Sequence, residues 1–330
     1  MIDGGSQETE TSRLLGESMR SESTGDIRRN ARWLPIRLPL RMADFAVRGF
    51  RLDRPAARAV LQTHGRSFLT GFNIGAEHWR HPHHALATVT EEERGFAYEG
   101  AGMYAAMRDL ATFGRAGALR RLLAGPGDCY THLVHVGAGW TFAPLRLGLP
   151  VRLPATPLLR WLALDGSGFG ETFFGGLRAL RRQIRPRRSP RWPALVAGCG
   201  RALWFVASAD PDGIATIIAH SPAPARPHLW SGVGLAMGYA GAVDDTGRDR
   251  LAAAAGEHLA HLAQGLMFAA GARVRAGVVP EHTERACRQL LSVDARTAAQ
   301  WTDETATDLT TRTDLGAYLE WRSRLCARHS

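Results

Sequence analysis

The chain has 330 residues, enough for one large domain or two intimate ones with a full core, and its 45% apolar content fits a globular protein. Its formal charge is +10, and all 41 basic residues are arginine, which suits an acidic partner or an anionic group on a ligand. Cys129, Cys199, Cys287 and Cys326 stand far apart with no C-x-x-C pair, so neither a zinc site nor a disulfide framework is suggested and a reducing cytoplasm is the default. No apolar run reaches membrane-spanning length and no signal-peptide core opens the chain.

Residues 1–32 are polar and are expected to be a disordered extension. Trp33 to Phe50 alternates apolar and basic residues, as in a docking strand or irregular arm. A helical period starts at Asp53, with Ala57, Leu61, His64, Phe68, Phe72 and Ala76 on one stripe. HWRHPHH (His78 to His84) reads as a solvated loop, since Pro82 breaks helical ligand pairing and no carboxylate is interleaved; metal capture is its sharper alternative. Thr90 and Glu93 have capping-box spacing ahead of a helix bearing Phe96, Gly100 and Met103, with Glu99 one position off that stripe. Asp128 is placed to cap HLVHVGAGW, although LVHV also fits a short strand. Asp165 falls among Leu, Phe and Gly. It is either the Asx residue of an LDGSGF turn or a buried acid.

Arg178 to Arg191 holds seven arginines in fourteen residues. It reads as a surface loop over 178–191 joining two halves, about 33–177 and 192–330, of one helical domain. Arg181, Arg182, Arg185, Arg187 and Arg188 are its candidate partner-binding residues. Beyond it, Asp210-Pro211 starts a short helix. The uncharged stretch Leu229 to Val243 contains Gly232, Gly234, Gly238 and Gly241. Glycines in a helix interior cost about 1 kcal/mol each, so they imply that another backbone, or a ligand, approaches very closely. His132 to Ala143 looks like a degenerate copy, with Val136-Gly137 matching Val233-Gly234. The period predicts an all-α fold of about ten helices, built from a duplicated Gly-rich helical hairpin around an apolar cavity.

No nucleophile elbow, phosphate loop, dinucleotide fingerprint or nucleic-acid motif is present, so neither a cofactor, a metal nor nucleic acid is expected. What the chain offers is apolar helices carrying single polar groups beside glycine. Asp165, Glu99 and His135 are candidate acid/base residues. Trp140, Trp161, Phe169, Trp204, Trp230, Ser231, Tyr239 and Gln264 are candidate lining of a hydrophobic small-molecule site. The competing reading makes the aromatics core and the polar groups helix-end partners.

Several stretches, among them RGFAYEGAGM (from Arg94), HVGAGW (from His135), LRWLALDGSGF (from Leu159), GRALWF (from Gly200), HLWSGVGLAMGYAG (from His228), HLAQGLMFAAGAR (from His261) and PEHTERAC (from Pro280), resemble the conserved protein of unknown activity encoded beside iterative enediyne polyketide synthases. The resemblance runs from about Met42 to the C-terminus. It implies a cytoplasmic role in forming or maturing an enediyne (polyene) core beside the synthase and its thioesterase. It brings no assigned catalytic residues. In the family pattern a histidine often follows D-G-x-G-F, where this chain has Gly170 and Glu171. Two functions follow as expectations. One is a cyclase or isomerase of a conjugated polyene, using Asp165 or Glu99 with His135. The other is a non-catalytic protein that shields the polyene or docks an acidic carrier domain of the synthase.

Overall fold

The computed structural model describes residues 36–141 and 157–329. The expected disorder of residues 1–32 lies outside them. Among the described residues every element is helical, as the period predicted. None of these helices is long and apolar enough to cross a membrane.

Seven helices form a row in which neighbours lie antiparallel. They are α1 (Pro55–His78), α2 (Glu91–Ala111), α3 (Thr131–Trp140), α4 (Leu162–Gln183, bent at Gly176), α5 (Trp192–Val206), α7 (Arg226–Ala240) and α9 (Leu259–Arg275). The shorter α6 (Pro211–Ala219) and α8 (Asp245–Ala255) bridge successive members. Helices α10 (Glu281–Leu291), α11 (Ala295–Ala306) and α12 (Leu315–Ala327) pack outside α9.

Glycine pairs two residues apart hold the row together. In an α-helix two residues turn about 200°, so a G-x-G pair presents one glycine to each flank. On α3, Gly137 lies against the Glu99 carbonyl of α2 and Gly139 against the Ala163 carbonyl of α4. On α4, Gly166 meets the Val136 carbonyl and Gly168 that of Leu195. Gly100 and Gly102, Gly198 and Gly200, and Gly232 and Gly234 repeat the arrangement on α2, α5 and α7. At each of these ten glycines a Cβ would come within 3.0 Å of a neighbouring backbone oxygen. The expected close backbone approach is therefore present, but its unit is the single helix, not a duplicated hairpin. Gly137 corresponds to Gly232, not to Gly234.

The row curls round an interior. Arg273 of α9 donates to the Tyr239 carbonyl and, at 2.8 Å, to the Glu92 carbonyl at the start of α2. Side chains from α2, α4, α5 and α7 consequently meet inside.

Local expectations change in four places. Residues 40–48 form two short turns, Leu40–Ala43 and Phe45–Arg48, not a strand, because Ala43, Phe45 and Phe50 all reach the core. The capping box does not form: Glu93 turns instead to His64, with Nδ1 to Oε1 at 2.7 Å. LVHV is helical, as the capping reading has it, but the helix starts from Tyr130 and not from Asp128, which lies inside the preceding turn Gly125–Tyr130. The arginine-rich stretch is not wholly a loop. Arg178, Arg181 and Arg182 ride the last turns of α4, where Leu180 and Gln183 still face the core, and the chain leaves the helix only after Gln183.

Candidate functional site

Asp165 is not a turn residue. It lies in the first turn of α4, 3% exposed, and its backbone carbonyl is the one that Gly198 approaches. Glu99, also 3% exposed, stands in the same relation to Gly137. Both carboxylates thus project from points of closest helix contact, and both meet Arg201 of α5. Arg201 Nη1 donates to Glu99 Oε1 at 3.3 Å, and Nε stands 2.8 Å from Asp165 Oδ1. Trp140 Nε1 of α3 donates to the same Glu99 oxygen at 3.0 Å.

Burial pushes both carboxyl groups above the ordinary carboxylate range, and the Arg201 charge offsets this only in part. Burial opposes the Arg201 charge, but Asp165 and Glu99 together hold its pKa above the usual value. Two acids sharing one guanidinium in a low-dielectric interior make a site where a proton is readily held and passed. Arg201 Nη2 has no hydrogen-bond partner among the described residues.

Glu99 and Arg201 open onto an apolar cavity of about 60 Å³. Its walls are aromatic. Trp140 packs between Phe68 and Phe169 with ring centroids 4.5 and 4.7 Å apart, Phe173 stacks on Phe169 at 5.5 Å, and the Arg201 guanidinium lies 4.2 Å over Phe169. Phe96, stacked on His64 at 4.3 Å, and Tyr239 close the far wall. The mouth is formed by Leu38, Met42, Arg48 and the exposed Phe174, with Arg48 4.8 Å from the Phe174 ring. Such a volume suits a thin ligand: it is room for only about four water molecules.

The expected residues divide. Glu99, Trp140, Phe169 and Tyr239 line this cavity. Asp165 pairs with Arg201 and does not itself line the slot. His135 is buried elsewhere on α3, its two ring nitrogens without partners among the described residues, and burial lowers its pKa to about 4. Trp161 donates to the Thr313 carbonyl and Trp204 to that of Gly241, while Trp230 is core; none of the three lines the slot. Ser231 donates to Gln264 at 2.7 Å and accepts from Arg322 of α12 at 3.0 Å, a buried set whose Arg322 charge also acts on Asp165. Arg181, Arg182, Arg185, Arg187 and Arg188 are exposed, and Arg182 pairs with Glu171. The HWRHPHH stretch ends in a short helix where His83 meets the Tyr98 hydroxyl at 3.0 Å. Among the described residues no three His, Cys, Asp or Glu side chains cluster as metal ligands would.

Sequence reasoning missed Arg201, His64 and Arg48. Arg201 carried a usable signal: it is the one charge inside WPALVAGCGRALWFV. A lone cation on an otherwise apolar helix needs a buried carboxylate.

No curated protein and no solved structure matches the chain. A family model does, over residues 27–329. The chain belongs to the family described as Protein of unknown function (DUF1702).

Proposed function

We propose that this protein acts in the biosynthesis of a polyketide natural product, on a slender, conjugated polyene of the enediyne-core type, as an isomerase or cyclase whose acid/base group is Glu99. The observation that carries the reading is Glu99 itself, a buried carboxyl held by Arg201 and Trp140 on the wall of an aromatic slot. A carboxylate of raised pKa is a competent base towards a carbon acid near neutral pH. In the proposed step Glu99 takes a proton from a carbon conjugated to a carbonyl, and the electron pair moves through the chain to the carbonyl oxygen. Arg201 Nη2 holds that enolate oxygen. Glu99 then returns the proton to a carbon further along. Double bonds move, with no net gain or loss of electrons, and ring closure can follow from the shifted polyene. Asp165 positions Arg201.

The test is product profiling with the polyketide synthase and its thioesterase in heavy water, with wild-type protein, Glu99→Gln or none. A new isomer, lost with folded Glu99→Gln and carrying solvent deuterium only to the extent that the Glu99 proton exchanges before its return, is the expected result. The same product from a folded Glu99→Gln protein removes Glu99 from the chemistry. A second reading, a holder that shelters the polyene or docks an acidic carrier domain, is favoured by the exposed Arg181, Arg185, Arg187 and Arg188. It takes over if wild type binds the polyene and changes nothing in it.

A further inference from the structure

A second cavity, of about 40 Å³, lies deeper in the row. It shares three wall residues with the slot: Arg201, Leu235 and Tyr239. Only these side chains belong to both linings, so they stand as a partition between a front and a rear compartment. The rear one is lined by Phe268, Ala272 and Trp321, and by His132 of α3. His132 Nδ1 is buried without a partner among the described residues, and burial lowers that histidine's pKa to about 3, so its ring is neutral at pH 7. The Tyr239 hydroxyl is likewise buried and unpartnered. Buried polar atoms with no partner are uncommon, and each calls for an explanation, a ligand among them.

We infer that the two cavities are one ligand tunnel, parted by Arg201, Leu235 and Tyr239, and that its ligand is an unbranched apolar chain long enough to pass the partition and set a polar far end against His132. This rests on the slot being the substrate site and adds what that site selects: chain length. Leu235 is half-buried and, being apolar, has no polar tether, whereas Arg201 is held by two carboxylates and Tyr239 is pinned by Arg273, 3.8 Å over its ring. Leu235 is therefore the residue that yields.

The experiment measures binding of two conjugated acids, the short sorbic acid and the long parinaric acid, by quenching of tryptophan fluorescence. Wild type is compared with Ala272→Phe, which fills the rear cavity, and His132→Leu, which removes its polar group, each checked for its thermal unfolding midpoint. Parinaric acid should weaken about tenfold in both variants while sorbic acid is unchanged. Leu235→Ala, which only removes bulk and is the safer fold, should tighten parinaric acid more than sorbic acid. If both probes bind and no variant separates them by length, the tunnel is wrong and the slot reading stands. If neither binds wild type, both fall.

Discussion

The sharpest test of the fold is a single methyl group at Gly137. An added Cβ there would stand within 3.0 Å of the Glu99 carbonyl oxygen, where real Cβ atoms essentially never come. That oxygen is backbone in the middle of α2, so no side-chain rotation relieves the clash, and α2 and α3 must move apart until contact is ordinary, at 3.4 Å or more. Overpacking a tight interface costs about 1–3 kcal/mol, and more where backbone must shift. Replacing a helical glycine by alanine returns about 1 kcal/mol of propensity. The net expectation for Gly137→Ala is a loss of about 2 kcal/mol or more, read as a lower urea midpoint at unchanged m-value. Gly75→Ala is the control. It lies on a row helix too, but its new Cβ would meet Ala101 Cα and Tyr104 Cβ at 3.3 Å, a contact that a small shift absorbs. It should stay within about 1 kcal/mol of wild type. A Gly137→Ala protein as stable as wild type would refute the claim that carbonyl-to-glycine contacts set the helix spacing.

Four further outcomes are expected. Asp165→Asn should slow product formation without abolishing it, since Asp165 acts through Arg201, while Glu99→Gln should abolish it; equal losses in the product assay would contradict that division. Trp140→Phe removes a hydrogen bond that favours the Glu99 anion, so the Glu99 limb of the pH–rate profile should move to higher pH. His135 has a folded pKa lowered to about 4 from 6.5. The unfolded chain therefore binds the proton first as pH falls, and stability drops by about 1.4 kcal/mol per pH unit from this residue between pH 6.5 and about 4, levelling below. Urea titrations of His135→Gln should show that much less slope; an unchanged slope would place the acid sensitivity in other histidines. Neutralising Arg181, Arg185, Arg187 and Arg188 to Gln should weaken association with an acidic carrier domain and flatten its salt dependence, measured by calorimetry at several ionic strengths.

Helix content was legible because apolar stripes at the helical period persist through the chain, and the glycines were legible as close contacts because nothing else justifies their cost inside a helix. The G-x-G repeat was harder to see. Its two glycines serve different neighbours, so comparing Gly137 with Gly234 mixed the two flanks. Glu99, Trp140, Phe169 and Tyr239 stood out as polar or aromatic groups beside glycine, and the curl of the row brings them to one slot. Trp161, Trp204 and Trp230 are aromatic residues of apolar segments too, though with no glycine beside them, and they face core or connector. The direction a side chain takes is set by the neighbouring helix, which a single segment does not encode. Asp165 was misleading for a related reason: D-G signals a turn in isolation, but here Gly166 supplies a helix contact. Arg201 was overlooked because its partners come from two other helices.

The doubly gripped helices have a consequence for how the chain can vary in length. One residue inserted inside α3 would rotate all that follows it by about 100°, taking Gly139 off the Ala163 carbonyl and swinging Trp140 away from Glu99 in the same stroke. Insertions and deletions should therefore be tolerated only in the connectors, where they leave the slot untouched: the row is a ratchet whose teeth resist slippage.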